Sequence, residues 1–256
     1  MGEHAEGRSD LELLEVEMGV LWQRDHRGRL HGAEELVLAV ADDGVTAAVA
    51  RTVPDDLAGD LLDRVARSTP SPPGRPPNVL KECQALLDQA MRGSSTVVGG
   101  PSYLASPSVR FGPGMPVLRS DRPGDVRRVR GLRPGNWQPG EWEELVGGGA
   151  GAPWAMIVDG GEVVSICHTP RRTAAGAEAG TWTAPSYRGR GYAAATTAVW
   201  TDLLSPHCPY LFYSTSADNR SSQRVAERLG LRRIGWLWKL TRAPGSDSSP
   251  GRGGRV

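Results

Sequence analysis

Residues Pro185–Ala193 read Pro-Ser-Tyr-Arg-Gly-Arg-Gly-Tyr-Ala. A strand-like run, Ala177–Thr183, precedes them, and an Ala- and Thr-rich helical stretch, Gly191–Leu204, follows. Gly189 and Gly191 carry no Cβ, so the backbone can turn sharply and approach a ligand closely. The first-turn amides of a helix have no intrahelical acceptor and point outward, at the positive end of the helix dipole. Arg188 and Arg190 add charge. Phosphate or pyrophosphate is the natural occupant of such a turn. No Gly-Lys-Ser/Thr follows, so this is not a P-loop, and the third glycine of the dinucleotide GxGxxG is missing. A Gly-Arg-Gly turn by itself is a weak signal, and its meaning depends on what flanks it.

The flanking pattern is regular. Trp154–Val158 and Glu162–His168 read as strands joined by Asp159-Gly160-Gly161, a hairpin signal. Tyr210–Ser216 is an apolar strand. Asn219–Leu229 reads as a helix opened by Asn219 and closed by Gly230 in a left-handed cap. Leu231–Leu240 supplies the last strand or strand pair, with a bend at Gly235. Earlier, Val126–Arg133 reads as a strand and Glu141–Val146 as a short helix.

Arg188 to Ala193 fit Arg/Gln-x-x-Gly-x-Gly/Ala, and here the chain resembles the GNAT N-acetyltransferase superfamily. A second stretch, Asn219 to Leu231, resembles that superfamily's other signature, an Asn-led helix ending in Leu-Gly-Phe/Leu. The resemblance covers roughly residues 125–242. It implies an α/β fold with a GNAT-like mixed, mostly antiparallel sheet flanked by helices. It also implies an acetyl-CoA site with no metal. The amides of Arg188, Gly189, Arg190, Gly191, Tyr192 and Ala193 would cradle the pyrophosphate. Strand Ala177–Thr183 would splay from strand Tyr210–Ser216, and the pantetheine arm would pair with backbone near Trp182 and Thr183. Asn219 and Ser222 would lie near the cofactor, although plain helix capping also accounts for both.

Direct acyl transfer to an amine needs positioning, a donor to the thioester oxygen and a base for the ammonium proton. A backbone amide near Trp182 could polarise the oxygen. Glu178 shares a strand face with Gly180 and Trp182 and is the candidate base; the competing reading is a strand Glu with no role. His168 is the second candidate. In many members of the superfamily a Tyr of the last helix protonates the leaving thiolate, and that position is Ala226 here. The acid then falls to Tyr187, to Ser222, to water, or to nothing. The function expected is an acetyl-CoA-dependent N-acetyltransferase acting on a small primary amine. The alternative is a non-catalytic acyl-CoA-binding or interaction module.

Composition sets the wider frame. The 256 residues carry a formal charge of +1, but the charge is polarised. Residues 1–63 sum to −10 and residues 64–256 to +11. Arg220, Arg224 and Arg228 recur every four residues, a spacing that suits a solvated helix face better than a phosphate contact. Arg119, Arg122, Arg127, Arg128, Arg130 and Arg133 lack the interleaved aromatics of a nucleic-acid surface. No nucleic-acid partner is therefore expected, and a homodimer is compatible with the pattern. No apolar run is long enough to span a bilayer, and the polar first residues resemble no targeting peptide. Three scattered cysteines form no disulfide framework or zinc motif, which points to the cytoplasm.

The expected organisation is a tail over 1–9, an N-terminal α/β region over 10–115, a GNAT domain over 116–242 and a tail over 243–256. The N-terminal region shows a hairpin around Asp43-Gly44, helices from Asp55 and from Asn78, and a turn-rich stretch over Gly99–Pro116 with a short strand near Tyr103, where the domain boundary is placed. A hairpin followed by helices is compatible with a degenerate second GNAT-like half.

Overall fold

The computed structural model describes residues 7–106, 111 and 114–242. The tail expected over 243–256 lies outside the described residues, as do residues 1–6 of the N-terminal one. The chain runs α1 (Asp10–Leu21), β1 (Glu34–Ala41), β2 (Gly44–Val49), α2 (Asp55–Ala66), α3 (Asn78–Ala90), β3 (Ser95–Ala105) and β4 (Leu118–Arg119). It continues with α4 (Pro123–Val129), α5 (Pro139–Gly147), β5 (Gly151–Asp159), β6 (Glu162–Arg172) and β7 (Gly176–Thr183). After a 3-10 turn at Pro185–Tyr187 come α6 (Tyr192–Leu204), β8 (Tyr210–Ser214), α7 (Arg220–Leu229) and β9 (Arg232–Arg242). No helix among the described residues is long and apolar enough to cross a membrane.

Among the described residues, nine strands join one sheet, in the order β2-β1-β9-β3-β8-β7-β6-β5-β4. The fold is thus the expected mixed, mostly antiparallel sheet flanked by helices. Its parallel neighbours are β7 and β8. The sheet runs unbroken across residue 116, because β3 lies between β8 and β9, and β9 also pairs with β1.

Three local readings change. Val126–Arg133 is not a strand: Pro123–Val129 is helical, with Pro at the first turn. Val126 and Val129 are spaced by three, which puts both on one helix face, and Val129 is fully buried. The strand near Tyr103 extends over eleven residues. Its Gly99-Gly100-Pro101 looks like a turn, but the glycines serve close packing. A Cβ on Gly99 would lie 2.2 Å from the Trp238 ring, and one on Gly100 would lie 1.7 Å from the Thr215 carbonyl oxygen. The third change is α1, which the periodicity reading passes over. A capping box starts it: the Ser9 hydroxyl accepts from the Glu12 amide, and the Glu12 carboxylate accepts from the Ser9 amide.

Helix α1 packs on β1, β7 and β9. Leu13, Leu14 and Met18 are fully or almost fully buried there. Side chains of this kind contribute about 1.5–3 kcal/mol each. That is enough to hold the helix in place even though its Glu17 is also fully buried. Arg232 pairs with Asp10, and the Leu11 amide donates to Asp43 at 3.1 Å, so the helix start is tied to β9 and to the first hairpin. Helix α6 packs on β5, β6 and β7. Ala177 and Ala179 of β7 join the α6–α7 cluster, whereas Glu178 faces Glu17 of α1. Because strand side chains alternate, α1 and α6 cover opposite faces of β7.

Candidate active site

Gly191 caps α6 with φ +83° and no side-chain cap, and Gly189 has φ +80°. Both lie in the left-handed region that favours glycine. The amides of Gly189, Arg190, Gly191, Tyr192, Ala193 and Ala194 have no protein acceptor among the described residues. Six successive free donors at a helix start are a fixed positive surface. They border a cavity of about 370 Å³. Its lining includes Arg188, Arg224 and Arg228 and no carboxylate.

Of the residues expected to hold acetyl-CoA, Trp182, Thr183, Arg188, Gly189, Gly191, Tyr192, Ala193, Asn219 and Ser222 all line this cavity. Arg190 does not: its exposed guanidinium lies 4.7 Å from the Tyr187 ring centroid and donates to the Ser186 carbonyl. Arg188 donates to the Thr183 carbonyl at 3.2 Å. Asn219 does cap α7, its side-chain oxygen accepting from the Ser222 amide at 3.1 Å, so capping and cavity lining coincide. Arg224 and Arg228 reach the cavity lining while Arg220 does not, so the solvated-face reading holds for only part of that helix.

The cavity opens onto a gap in the sheet. β7 pairs with β8 through Gly176, Ala177 and Glu178 only, yet stays paired with β6 through Thr183. Beyond Glu178, the β8-facing backbone of β7 therefore has no strand partner, and such groups call for one. An amide-bearing chain laid along Thr181–Thr183 would satisfy them.

Glu178 sits at the apex of this gap. One carboxyl oxygen accepts from the Ser214 amide and from the Ser214 hydroxyl, both at 2.7 Å. The other oxygen is buried without a partner. The residue is 5% exposed, so it is not the solvent-facing strand Glu of the competing reading. Burial pushes its carboxyl up to about 7, against the two Ser214 hydrogen bonds that favour the charged form. Glu17 lies alongside. The Ser102 hydroxyl donates to one of its oxygens and the other has no partner. Burial, then the like charge of Glu178, holds Glu17 well above the usual carboxylate range, with Ser102 and Ser214 pulling the other way. Ser102 and Ser214 are direct neighbours in the β3–β8 register.

His168 stands across from Gly180 on β6, with its ring 5.1 Å from that of Trp137. Burial lowers it to about 4, so it is neutral near pH 7 and a weaker base than Glu178. Ala226 is fully buried. Tyr213 of β8 belongs to the same cluster, and its phenol is buried with no acceptor, beside the Thr181 and Ser222 side chains that line the cavity. Tyr187 also lines the cavity and stacks on Tyr192 at 6.4 Å. Glu17, Ser102, Ser214 and Tyr213 are thus residues of the candidate site, grouped around Glu178, that the sequence reading does not single out. The capping box was the one local sign of α1, and nothing in the sequence links Glu17 to Glu178.

Residues 124–232 match the model of the acetyltransferase (GNAT) domain. No curated protein matches the chain significantly. Among solved structures, the chain is similar to a GCN5-related N-acetyltransferase from Kribbella flavida, at 15% identity and a TM-score of 0.49, covering 94% of this chain and 98% of that one. It is also similar to a GNAT-family acetyltransferase from Colwellia psychrerythraea, at 16% identity and a TM-score of 0.45, covering 91% and 96%. The matched residues hold both signature stretches, the unpartnered amides and the gap between parallel strands, and residues 124–232 of this chain are thereby identified as a GNAT acetyltransferase domain.

Proposed function

We propose that the protein is an acetyl-CoA-dependent N-acetyltransferase that acetylates the primary amine of a small acceptor. The observation that carries this reading is the row of unpartnered amides, Gly189 to Ala194, beside a cavity with three arginines and no carboxylate. A polyanion with an amide-bearing tail fits both the donors and the unpaired edge of β7. Acetyl-CoA supplies the acetyl group as an activated thioester. The chain's own residues do the rest. The amides of Gly189 to Ala194 hold the pyrophosphate, with Arg224 and Arg228 adding positive charge. Backbone of Thr181–Thr183 aligns the arm, and an amide near Trp182 polarises the thioester oxygen.

Glu178 takes the ammonium proton, for which a carboxyl near 7 is well placed at neutral pH. Tyr213, in the same cluster as Ala226 and beside Thr181 and Ser222 of the cavity lining, is the proton donor for the departing sulfur. The free thiols Cys83, Cys167 and Cys208 suit a reducing compartment such as the cytoplasm. The −10 segment favours a cationic acceptor by long-range attraction. Ala226 also favours a second reading, a scaffold that binds acyl-CoA without turnover.

One experiment separates these. The full chain is incubated with acetyl-CoA and a panel of amines (amino acids, polyamines, aminoglycosides, peptide N-termini), and thiol release is followed. Acetyl-CoA should raise the melting temperature, and at least one amine should release thiol. Stabilisation without release across the panel would establish the binding module. Absence of stabilisation would refute acyl-CoA binding altogether.

A further inference from the structure

Glu17 and Glu178 come from α1 and β7, on opposite sides of the 124–232 boundary, and neither contacts a cation. Among the described residues no basic side chain hydrogen-bonds or ion-pairs with either carboxyl. Arg171 is opposite Glu178 in the β6–β7 register, but its exposed side chain donates to the Pro170 carbonyl. The other titratable groups around the pair are Cys167 and His168 on β6 and Tyr213 on β8. Burial holds the thiol and the phenol in their neutral, protonated forms and the imidazole in its neutral form. Two like charges sealed together in such surroundings are not tolerated. Each carboxyl uses one oxygen on serine, and each leaves the other, Oε1 of Glu17 and Oε2 of Glu178, buried without a partner. Because Ser102 and Ser214 are direct neighbours in the β3–β8 register, the carboxyls they hold lie side by side, and one proton shared by the pair would satisfy both.

We propose that Glu17 and Glu178 hold a single proton between them, with Glu17 as its donor, and that Ser214 relays the acceptor's proton to Glu178. Two donors, the Ser214 amide and hydroxyl, converge on one Glu178 oxygen, whereas Glu17 receives only the Ser102 hydroxyl, so the ionised form is favoured on Glu178 and Glu178 is the charged member. The Ser102 hydroxyl can serve a neutral partner, so Glu17 is the protonated one. Ser214 is half-buried at the end of β8, and its hydroxyl hydrogen-bonds to Glu178. As the ammonium gives its proton to the Ser214 oxygen, the Ser214 hydroxyl proton passes to Glu178. The amine is left neutral, Ser214 is unchanged and the pair then holds two protons, one of which returns to water after product leaves. Glu17 is a positioning residue: it never meets the substrate, and its role is to keep Glu178 ionised without a cation.

The inference rests on the N-acetyltransferase reading, so its test has two arms. In the first, infrared titration of the unliganded full chain should show one protonated carboxyl persisting into mildly alkaline buffer, and Glu17→Gln should remove it. Absence of that band overturns the shared proton whatever the enzyme does. In the second arm, pH–rate profiles are compared among the wild type, Glu17→Leu and Glu17→Gln. Leu takes away the donor, so the acid limb should move up by about one pH unit. Gln keeps an N–H donor, so the limb should stay near the wild-type position. An unmoved limb in Glu17→Leu, or a limb that falls in both variants, overturns the proposal, the latter because relief of repulsion would mean two charges. If no amine is ever turned over, the band alone still tests the pair, and that failure belongs to the N-acetyltransferase reading.

Discussion

The cavity wall takes its donors from one continuous segment, Gly189 to Ala194, whereas the carboxyl pair draws Glu17, Ser102, Glu178 and Ser214 from four separate elements. The wall needs only a short-range instruction: two glycines with positive φ and a helix that starts without a side-chain cap. Its chemistry is backbone chemistry, so it tolerates wide variation in side chains. The pair is long-range throughout. It forms only because β3 inserts beside β8 and α1 lies across β7. Anion binding should therefore fail through local changes, and proton handling through distant ones.

The most damaging local change is Gly191→Asp. Left-handed φ strains any side chain, a Cβ there would crowd the Phe111 ring at 3.1 Å, and the carboxylate would face the anion. Acetyl-CoA affinity should fall by more than about a hundredfold, while the carboxyl pair keeps its titration. Calorimetry for the first and infrared titration for the second would show whether wall and pair are separable. Loss of the pair's signal in this variant would argue that the two regions fold as one unit.

Glu178→Gln probes the other side. It should lower kcat by roughly a hundredfold, within the usual range for a general base, and leave acetyl-CoA affinity within about twofold. The same variant should change stability with a definite sign. The folded pKa of Glu178 is raised from 4.5 to about 7, so the native state binds the extra proton between those values. The stability Glu178 contributes is then full below about 4.5 and lost as pH rises through about 7. His168 acts oppositely: its pKa falls from 6.5 to about 4, so its contribution is present above 6.5 and lost on acidification. Glu17, held well above 4.5, adds a slope of the same sign as Glu178. In mildly acidic buffer the two glutamates outweigh His168, so urea midpoints should fall as pH rises in the wild type, whereas in Glu178→Gln the slopes of Glu17 and His168 offset each other and the midpoints should be nearly flat.

The same contrast explains what the sequence could tell. The Arg188–Ala193 turn and the Asn219-led helix are readable because each is a contiguous code for a backbone geometry, and both lie where that code puts them. The fold class follows from strand and helix order over the second half. Val126–Arg133 misleads as a strand because Val126 and Val129 share one helix face and Pro123 already marks a helix start. Gly99-Gly100-Pro101 misled because the need for a bare backbone under Trp238 and beside Thr215 is visible only in three dimensions. Glu17 is one of fifteen acidic residues in an acidic stretch, and its burial depends on strands that arrive much later in the chain. The −10 of that stretch hid a residue whose charge the fold suppresses.

Tyr213→Phe gives a smaller and more selective effect. The phenol is buried and has no acceptor, so removing the oxygen should leave the melting temperature unchanged or slightly higher. If the phenol protonates the departing sulfur, kcat should fall about tenfold with KM unchanged. The falling rate should come with a stronger dependence on thioesters whose thiols are poorer leaving groups. Equal kcat for the variant and the wild type would leave water as the acid, and Ala226 would then need no replacement.

The smallest effect should come from Arg190→Ala. The sequence gives Arg188 and Arg190 equal standing beside the glycines, and simple charge counting would predict equal losses. The structure separates them. Arg188 lines the cavity, while Arg190 points away onto the Tyr187 ring and the Ser186 carbonyl, fully exposed to screening by salt. Only its backbone amide belongs to the donor row, and alanine keeps that amide. Affinity for acetyl-CoA should change by no more than about twofold at physiological ionic strength, against roughly tenfold for Arg228→Ala at the cavity lining. A tenfold loss in Arg190→Ala would mean that the guanidinium swings onto the ligand. The wall would then depend on side chains as well as backbone, and its contrast with the carboxyl pair would narrow.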